Sequence, residues 1–230
     1  MTSTKDKAIR KILSDFDTLS GLTIRQMKFL SKVLVSENSI ISEESLNLMI
    51  ENENRLDDYE VKISHRITSS IVLYNPVASE LRNIMACYRM ITNLERIGDL
   101  VMKTVRIINK LNDTDLLVKN AKSINKMLTI SIKMVSKAVY SFVDHDIDAA
   151  MWTIKNDTVV DTMNHKILNN LLEEEEFTGL IHQRVLNFMA LKSIISSIER
   201  MADHAAHIAE ASIYAYGGED VRHTDLKDSV

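Results

Sequence analysis

One cysteine, one proline and five glycines in 230 residues leave this chain with little of what several fold classes require. A lone Cys87 excludes an internal disulfide and fits a reducing compartment. A sheet protein needs turn residues every ten or so positions, and these glycines and the proline are too few to supply them. Long apolar runs are also missing. The stretch from Ile84 to Ile91 is broken by Arg89, so nothing predicts direct membrane insertion, and the polar start from Met1 to Arg10 predicts no signal peptide. Charge of one sign is absent too. The net charge is −4 with a pI near 6.0 and no lysine or arginine cluster, which argues against nucleic acid as a partner. Aromatics make up only 5%. What remains plentiful is Met, Leu, Ile, Lys and Glu, the composition of long helices, and the expectation is a cytoplasmic all-α protein.

Apolar periodicity predicts six long antiparallel helices over about 4–36, 43–73, 76–111, 114–143, 146–172 and 179–216. Asn75-Pro76 reads as an N-cap followed by proline at the first helical position, and Asp113 and Asp144 stand where the fourth and fifth helices should begin. Gly217-Gly218 marks the end of the sixth. Short links between long helices imply antiparallel neighbours.

The chain also repeats itself. Shifted by 104 residues, Asn52-Glu53 falls on Asn156-Asp157, Asp57 on Asp161, Lys62-Ile63 on Lys166-Ile167, Glu95-Arg96 on Glu199-Arg200 and Asp99 on Asp203. In the first helix of each half, Ser31-Lys32 matches Ser136-Lys137 at a shift of 105. The expected architecture is therefore two tandem three-helix bundles made by internal duplication, over 1–112 and 113–218, with a C-terminal tail over 219–230.

Four acid pairs spaced four apart recur in that frame: Glu53/Asp57, Glu95/Asp99, Asp157/Asp161 and Glu199/Asp203. Residues four apart share a helix face. With 32 acids in 230 residues, chance alone yields roughly four such pairs, so the information lies in their recurrence at equivalent places. Asp144/Asp148 has no counterpart and is set aside. Heptad steps along the third helix read Val77, Leu81, Ile84, Tyr88 and Ile91 as a buried seam that reaches Glu95 and Gly98 before Met102 and Val105. In the sixth helix the same steps read Ile181, Val185, Phe188, Lys192, Ile195, Glu199, Ala202, Ala206 and Ala209. A carboxylate in each seam is costly when isolated, so a cation should meet it.

Three readings of the acids compete. One is a charged bundle surface with ion pairs to Arg96 and Arg200. The second is a site for hard or borderline cations (magnesium or calcium, iron or zinc), where two antiparallel helices bring four carboxylates together per repeat. The third, an oxygen-activating di-metal centre, needs Glu-x-x-His on facing helices, and no Glu here has His three residues later. Asp161/His165 and His204/His207 bring imidazoles near the second repeat's acids, whereas the first repeat has Val61, Leu100 and Lys103 there; surface histidines are the simpler reading. Cys87 reads as a small core residue, the methionines as core filler, and the acidic run from Glu173 to Glu176 as a solvated loop. No nucleophile–base pair, Gly-rich phosphate loop or cofactor motif is visible, which points away from an enzyme.

Asn75-Pro76-Val77-Ala78-Ser79-Glu80-Leu81-Arg82, followed by Asn93-Leu94-Glu95-Arg96-Ile97-Gly98-Asp99, resembles the first repeat of the PhoU family. The segment from Ile198 through Glu199, Asp203 and His207 to Glu210 is similar to its second, and Gly218 to His223 to its ending. The resemblance spans nearly the whole chain in motif order and spacing. It implies a regulator of phosphate uptake and phosphate-starvation signalling that links the ATPase subunit of the phosphate ABC transporter to a membrane sensor histidine kinase, with a homodimer as the expected state. It also implies iron or zinc clusters held by Glu/Asp-x-x-x-Asp motifs, here Glu95/Asp99 and Glu199/Asp203; the helix-face argument adds Glu53/Asp57 and Asp157/Asp161. The chain departs from the family pattern at Asn93 and Ser197, where an acid is frequent, and at His207, where Asn is frequent. A metal-buffering protein and a plain helical scaffold are the alternatives.

Overall fold

In the computed structural model, residues 4–36, 41–111, 114–174, 181–218 and 220–221 are described. They form six helices and no strand: α1 (Thr4–Val35), α2 (Glu43–Tyr74), α3 (Ala78–Asn109), α4 (Asp115–Val143), α5 (Ile147–Glu174) and α6 (Ile181–Gly217). At about 1.5 Å rise per residue, the 32-residue α1 is about 48 Å long. No described helix is long and apolar enough to cross a membrane. The expected boundary at 112–113, the cap at Asp113 and most of the tail from 219 lie outside the described residues.

Each half is a three-helix bundle. Among the described residues, helix α2 packs only on α1 and α3, and α5 only on α4 and α6, while α1 against α4 and α3 against α6 join the two halves. Both joins run antiparallel. Across one, the Ser31 hydroxyl meets Asn125 Oδ1 at 2.7 Å and Phe16 meets Phe142 edge-on. Across the other, Asn93 meets His204 and the Arg89 guanidinium lies over the Tyr214 ring.

Heptad spacing accounts for the core, and the expected seams hold at Ile84, Ile91, Gly98 and Val105 of α3 and at Ile195, Ala202 and Ala209 of α6, while the positions between them differ. The buried row of α3 is Ile84, Cys87, Ile91, Leu94, Gly98, Val101, Val105 and Ile108, and that of α6 is Leu191, Ile195, Ile198, Ala202, Ala205, Ala209 and Ser212. Val77, Leu81 and Tyr88, expected in the seam, are exposed, as are Val185 and Lys192. The reason is that α3 packs on three helices, so its core stripe is wider than one seam and lies on the flank that faces all three. Glu95 and Glu199 therefore stand beside the core row, at the edge of the stripe, instead of interrupting it. Each fully buried Leu or Ile of these rows stabilises the fold by about 1.5–3 kcal/mol.

The helix ends also correct two expectations. Asn75 closes α2 in a left-handed conformation (φ 42°), and α3 begins only after Val77, whose backbone N–H donates to Glu80 Oε2 at 3.1 Å. Asn tolerates positive φ because its short polar side chain bonds locally, and the restriction Pro76 places on the residue before it keeps Asn75 out of a continuing helix. Asp144 ends α4; Asp146 starts α5 by accepting from the Ala149 N–H at 3.0 Å, and His145 between them takes φ 60°.

Candidate metal centre

The four acids of each repeat converge between the second and third helix of that repeat, as the duplication predicts, but the two groups differ. In the second repeat, Asp157 and Asp161 of α5 and Asp203 of α6 each offer an oxygen within 4.8 Å of the others. Asp157 is buried and the other two half-buried. Oxygens up to that distance apart can share one ion at about 2.4 Å, the range of oxygen-ligated divalent cations. Burial, then the charges of Asp157, Asp161 and Glu199 and a hydrogen bond with Asp157, push the Asp203 carboxyl up to about 7. A cation placed among these groups would offset both the burial and the repulsion that hold that proton, so the donor set fits a hard metal ion.

In the first repeat the same positions are already engaged by protein groups. The Gln26 amide of α1 donates to Glu53 Oε2 at 3.2 Å. Burial raises the Glu53 carboxyl to about 7 against that bond, with the Asp99 and Asp57 charges and a shared hydrogen bond with Asp99 adding to it. Arg96 lies 3.5 Å from Glu95 and 3.3 Å from Asp99, so the cation expected at this carboxylate is in part a neighbouring side chain. Asp57 and Glu95 are held above their usual range, mainly by burial and then by Asp99. Asp57 and Asp99 are exposed. A metal here competes with Arg96.

Gly98 sets how closely α2 and α3 approach in the first repeat. A Cβ added there would stand 2.7 Å from Leu56 Cδ1, 3.2 Å from Gln26 Oε1 and 3.4 Å from Glu53 Oε2. The matching pair in the second repeat is Ala202 and Val160, both buried. One methyl group has moved from the second helix to the third, a volume-conserving exchange between the halves.

The histidines do not join the acids. The Nδ1 of His165 faces the Asp161 backbone carbonyl at 2.8 Å, and His207 is exposed. His204 turns across to the first repeat, its Nδ1 2.9 Å from Asn93 Oδ1, and burial lowers its pKa to about 4. Asn93, one of the departures from the family pattern, thus serves the join between repeats; its amide also donates to the Arg89 carbonyl.

Two polar features escaped the reading of the sequence. Gln26 and Thr23 stand in the buried heptad row of α1 with Ile12, Phe16, Leu19, Leu30 and Val33, and polar residues in such a row were the available signal. The other is Asp15, also buried in α1, which pairs with Arg66 at 2.8 Å, Lys11 at 3.1 Å and Lys62 at 3.8 Å.

Residues 16–108 and 124–212 each match the PhoU domain family. The chain is 30% identical over 223 residues to the phosphate-specific transport system accessory protein PhoU homolog of Aquifex aeolicus, covering 95% of this chain and 98% of that one. It is 30% identical over 178 residues to the homolog of a Burkholderia species, covering 76% of this chain and 74% of that one. Among solved structures, PhoU from Pseudomonas aeruginosa superposes with a TM-score of 0.81 at 22% identity, over 93% of this chain and 99% of that one. The phosphate transport system regulatory protein PhoU of Streptococcus pneumoniae gives 0.82 at 19%, over 95% and 100%. At these identities the two structures share the fold.

Proposed function

This chain belongs to the PhoU family, and from that premise we propose that it is a non-enzymatic accessory regulator of phosphate uptake and phosphate-starvation signalling. Its action is docking: it bridges the ATPase subunit of a phosphate transporter and a membrane sensor kinase from the cytoplasmic side. The observation that carries this reading is the match of both repeats to the PhoU domain, joined to relatives named as accessory proteins of the phosphate-specific transport system. Asp157, Asp161 and Asp203, with Glu199 beside them, are the residues to hold a divalent or trivalent ion. Glu53, Asp57, Glu95 and Asp99 form a weaker second site. A bound ion would supply charge neutralisation, leaving each repeat's second and third helices free of carboxylate repulsion.

The test is affinity purification from the native host in high and low phosphate, with partners identified by mass. Enrichment of a transporter ATPase or sensor kinase in one condition supports the reading. Metal-loaded protein without partners in either condition replaces it with a metal buffer, a role the Asp157–Asp161–Asp203 group would also suit.

A further inference from the structure

We propose that the join between the two repeats holds a binding site for a small organic amine with an apolar body. The site is a partly enclosed cavity of about 260 Å³ where α1 and α3 of the first repeat meet the ends of α4 and α6 of the second. Its walls are apolar, with Ile12, Phe16 and Ile84 on one side and Phe142 on the other. Close-packed interiors leave few voids larger than a water molecule, and a cavity walled this way favours a hydrocarbon body.

The polar atoms at its edge select the head group. The Asn83 side chain lines the cavity, and its Oδ1 is buried without a hydrogen-bond partner. An unpaired buried acceptor calls for a donor from the ligand. Tyr216 cannot be that donor, because its hydroxyl already donates to the Phe142 carbonyl. The rim carries carboxylates and the imidazole of His145, which packs edge-on with the Tyr216 ring. Asp17 lines the cavity as an exposed carboxylate, and Asp144 follows the lining residue Val143. The Asp144 charge reaches the Tyr216 hydroxyl, whose pKa burial first and then that charge push up to about 12. Among the described residues no lysine or arginine lines the cavity. The rings of Phe16, Phe142 and Tyr216 also line the cavity, and an aromatic face attracts an ammonium group. A carboxylate or phosphate would meet the Asp17 and Asp144 carboxylates with only the His145 imidazole to offset them; a protonated amine finds an acceptor, rim carboxylates and aromatic rings. Because the walls come from both repeats, an occupant holds the two halves together.

Three probes of one size test this on the full chain by calorimetric titration: 4-phenylbutylamine, 4-phenylbutanol and 4-phenylbutyrate. The amine should bind at least about tenfold more tightly than the alcohol, and the carboxylate more weakly than either. Leu13 lines the mouth and is 43% exposed, so Leu13→Trp should leave the fold intact while weakening amine binding about tenfold or more. Asp17→Asn should narrow the gap between amine and alcohol and leave alcohol binding unchanged. Equal binding of the three probes, no binding of any, or unchanged amine affinity in Leu13→Trp overturns the proposal.

Discussion

At places 104 residues apart the two repeats carry acids in the same four positions, and they satisfy them by different means. The first repeat meets its carboxylates from within the chain, with the Gln26 amide on Glu53 and Arg96 beside Glu95 and Asp99. The second has Ser131 at the position matching Gln26, and its hydroxyl is spent on the Met127 and Ile198 carbonyls. There, three aspartate oxygens are left close together. The first repeat also ties α1 to α2 through the buried Asp15 and its α2 partners Arg66 and Lys62, whereas Asn120 and Asn170 stand where Asp15 and Arg66 would fall. Duplication thus preserved the acids while their surroundings diverged. One copy sets Gln26 and Arg96 against its carboxylates, and the other brings three aspartate oxygens within reach of one ion.

The largest expected effect separates the two sites directly. Asp203→Asn should lower the affinity of the chain's tightest metal site by about 100-fold, or about 2.8 kcal/mol, in titration followed by elemental analysis. Glu95→Gln with Asp99→Asn should leave that site intact and remove only the weaker one. Equal losses from the two variants would dissolve the contrast between the repeats.

Next comes packing. Gly98→Ala should destabilise by about 1–3 kcal/mol in urea unfolding, because its Cβ meets Leu56. Adding Leu56→Val recreates the Ala202/Val160 arrangement of the second repeat and should recover most of the loss. A double variant no better than the single would show that the repeats do not exchange volume at this crossing.

A smaller effect is that of pH on metal-free protein. Glu53 and Asp203 bind protons more tightly folded than unfolded, each raised to about 7. Stability from these groups is therefore full below their unfolded values near 4 and is lost as pH rises to about 7. The melting temperature should fall by about 3 °C or more between pH 5 and 7.5, and calcium or zinc at the higher pH should restore it. In Asp203→Asn both the fall and the rescue should shrink, leaving the Glu53 contribution.

The smallest is Arg96→Gln. Its ion pairs are largely exposed, so unfolding should change by less than about 1 kcal/mol. Metal affinity in the first repeat should nevertheless rise, bringing the two sites closer together.

Much of the fold was legible because helices announce themselves locally. The six periodic stretches, the shift of 104 and the antiparallel order all follow from residue spacing within a few turns. The errors fell where a local signal had two outcomes. Asn75-Pro76 suits either the end of one helix or the start of the next, and the left-handed Asn75 shows that the end prevailed. The expected α3 seam holds at Ile84, Ile91, Gly98, Met102 and Val105 and fails at Val77, Leu81, Tyr88 and Glu95, because a helix touching three neighbours carries two overlapping heptad rows that share every other position. Of the candidate site, recurrence singles out eight acids, and the structure brings Asp157, Asp161 and Asp203 within reach of one ion. Arg96 as an ion-pair partner was one of the readings, since it shares α3 with Glu95 and Asp99, whereas Gln26 and His204 as a cross-repeat contact were not, because each depends on which residue of another helix stands opposite.

The sequence by itself determined an all-helical chain, its duplication and the acid positions, because periodicity and repeat spacing are written in single segments. Only the tertiary structure decided which repeat gathers its oxygens within reach of one ion and which satisfies them with protein groups. Carboxylates respond to burial and to charges a few ångströms away, and those neighbours come from helices tens of residues distant in the chain.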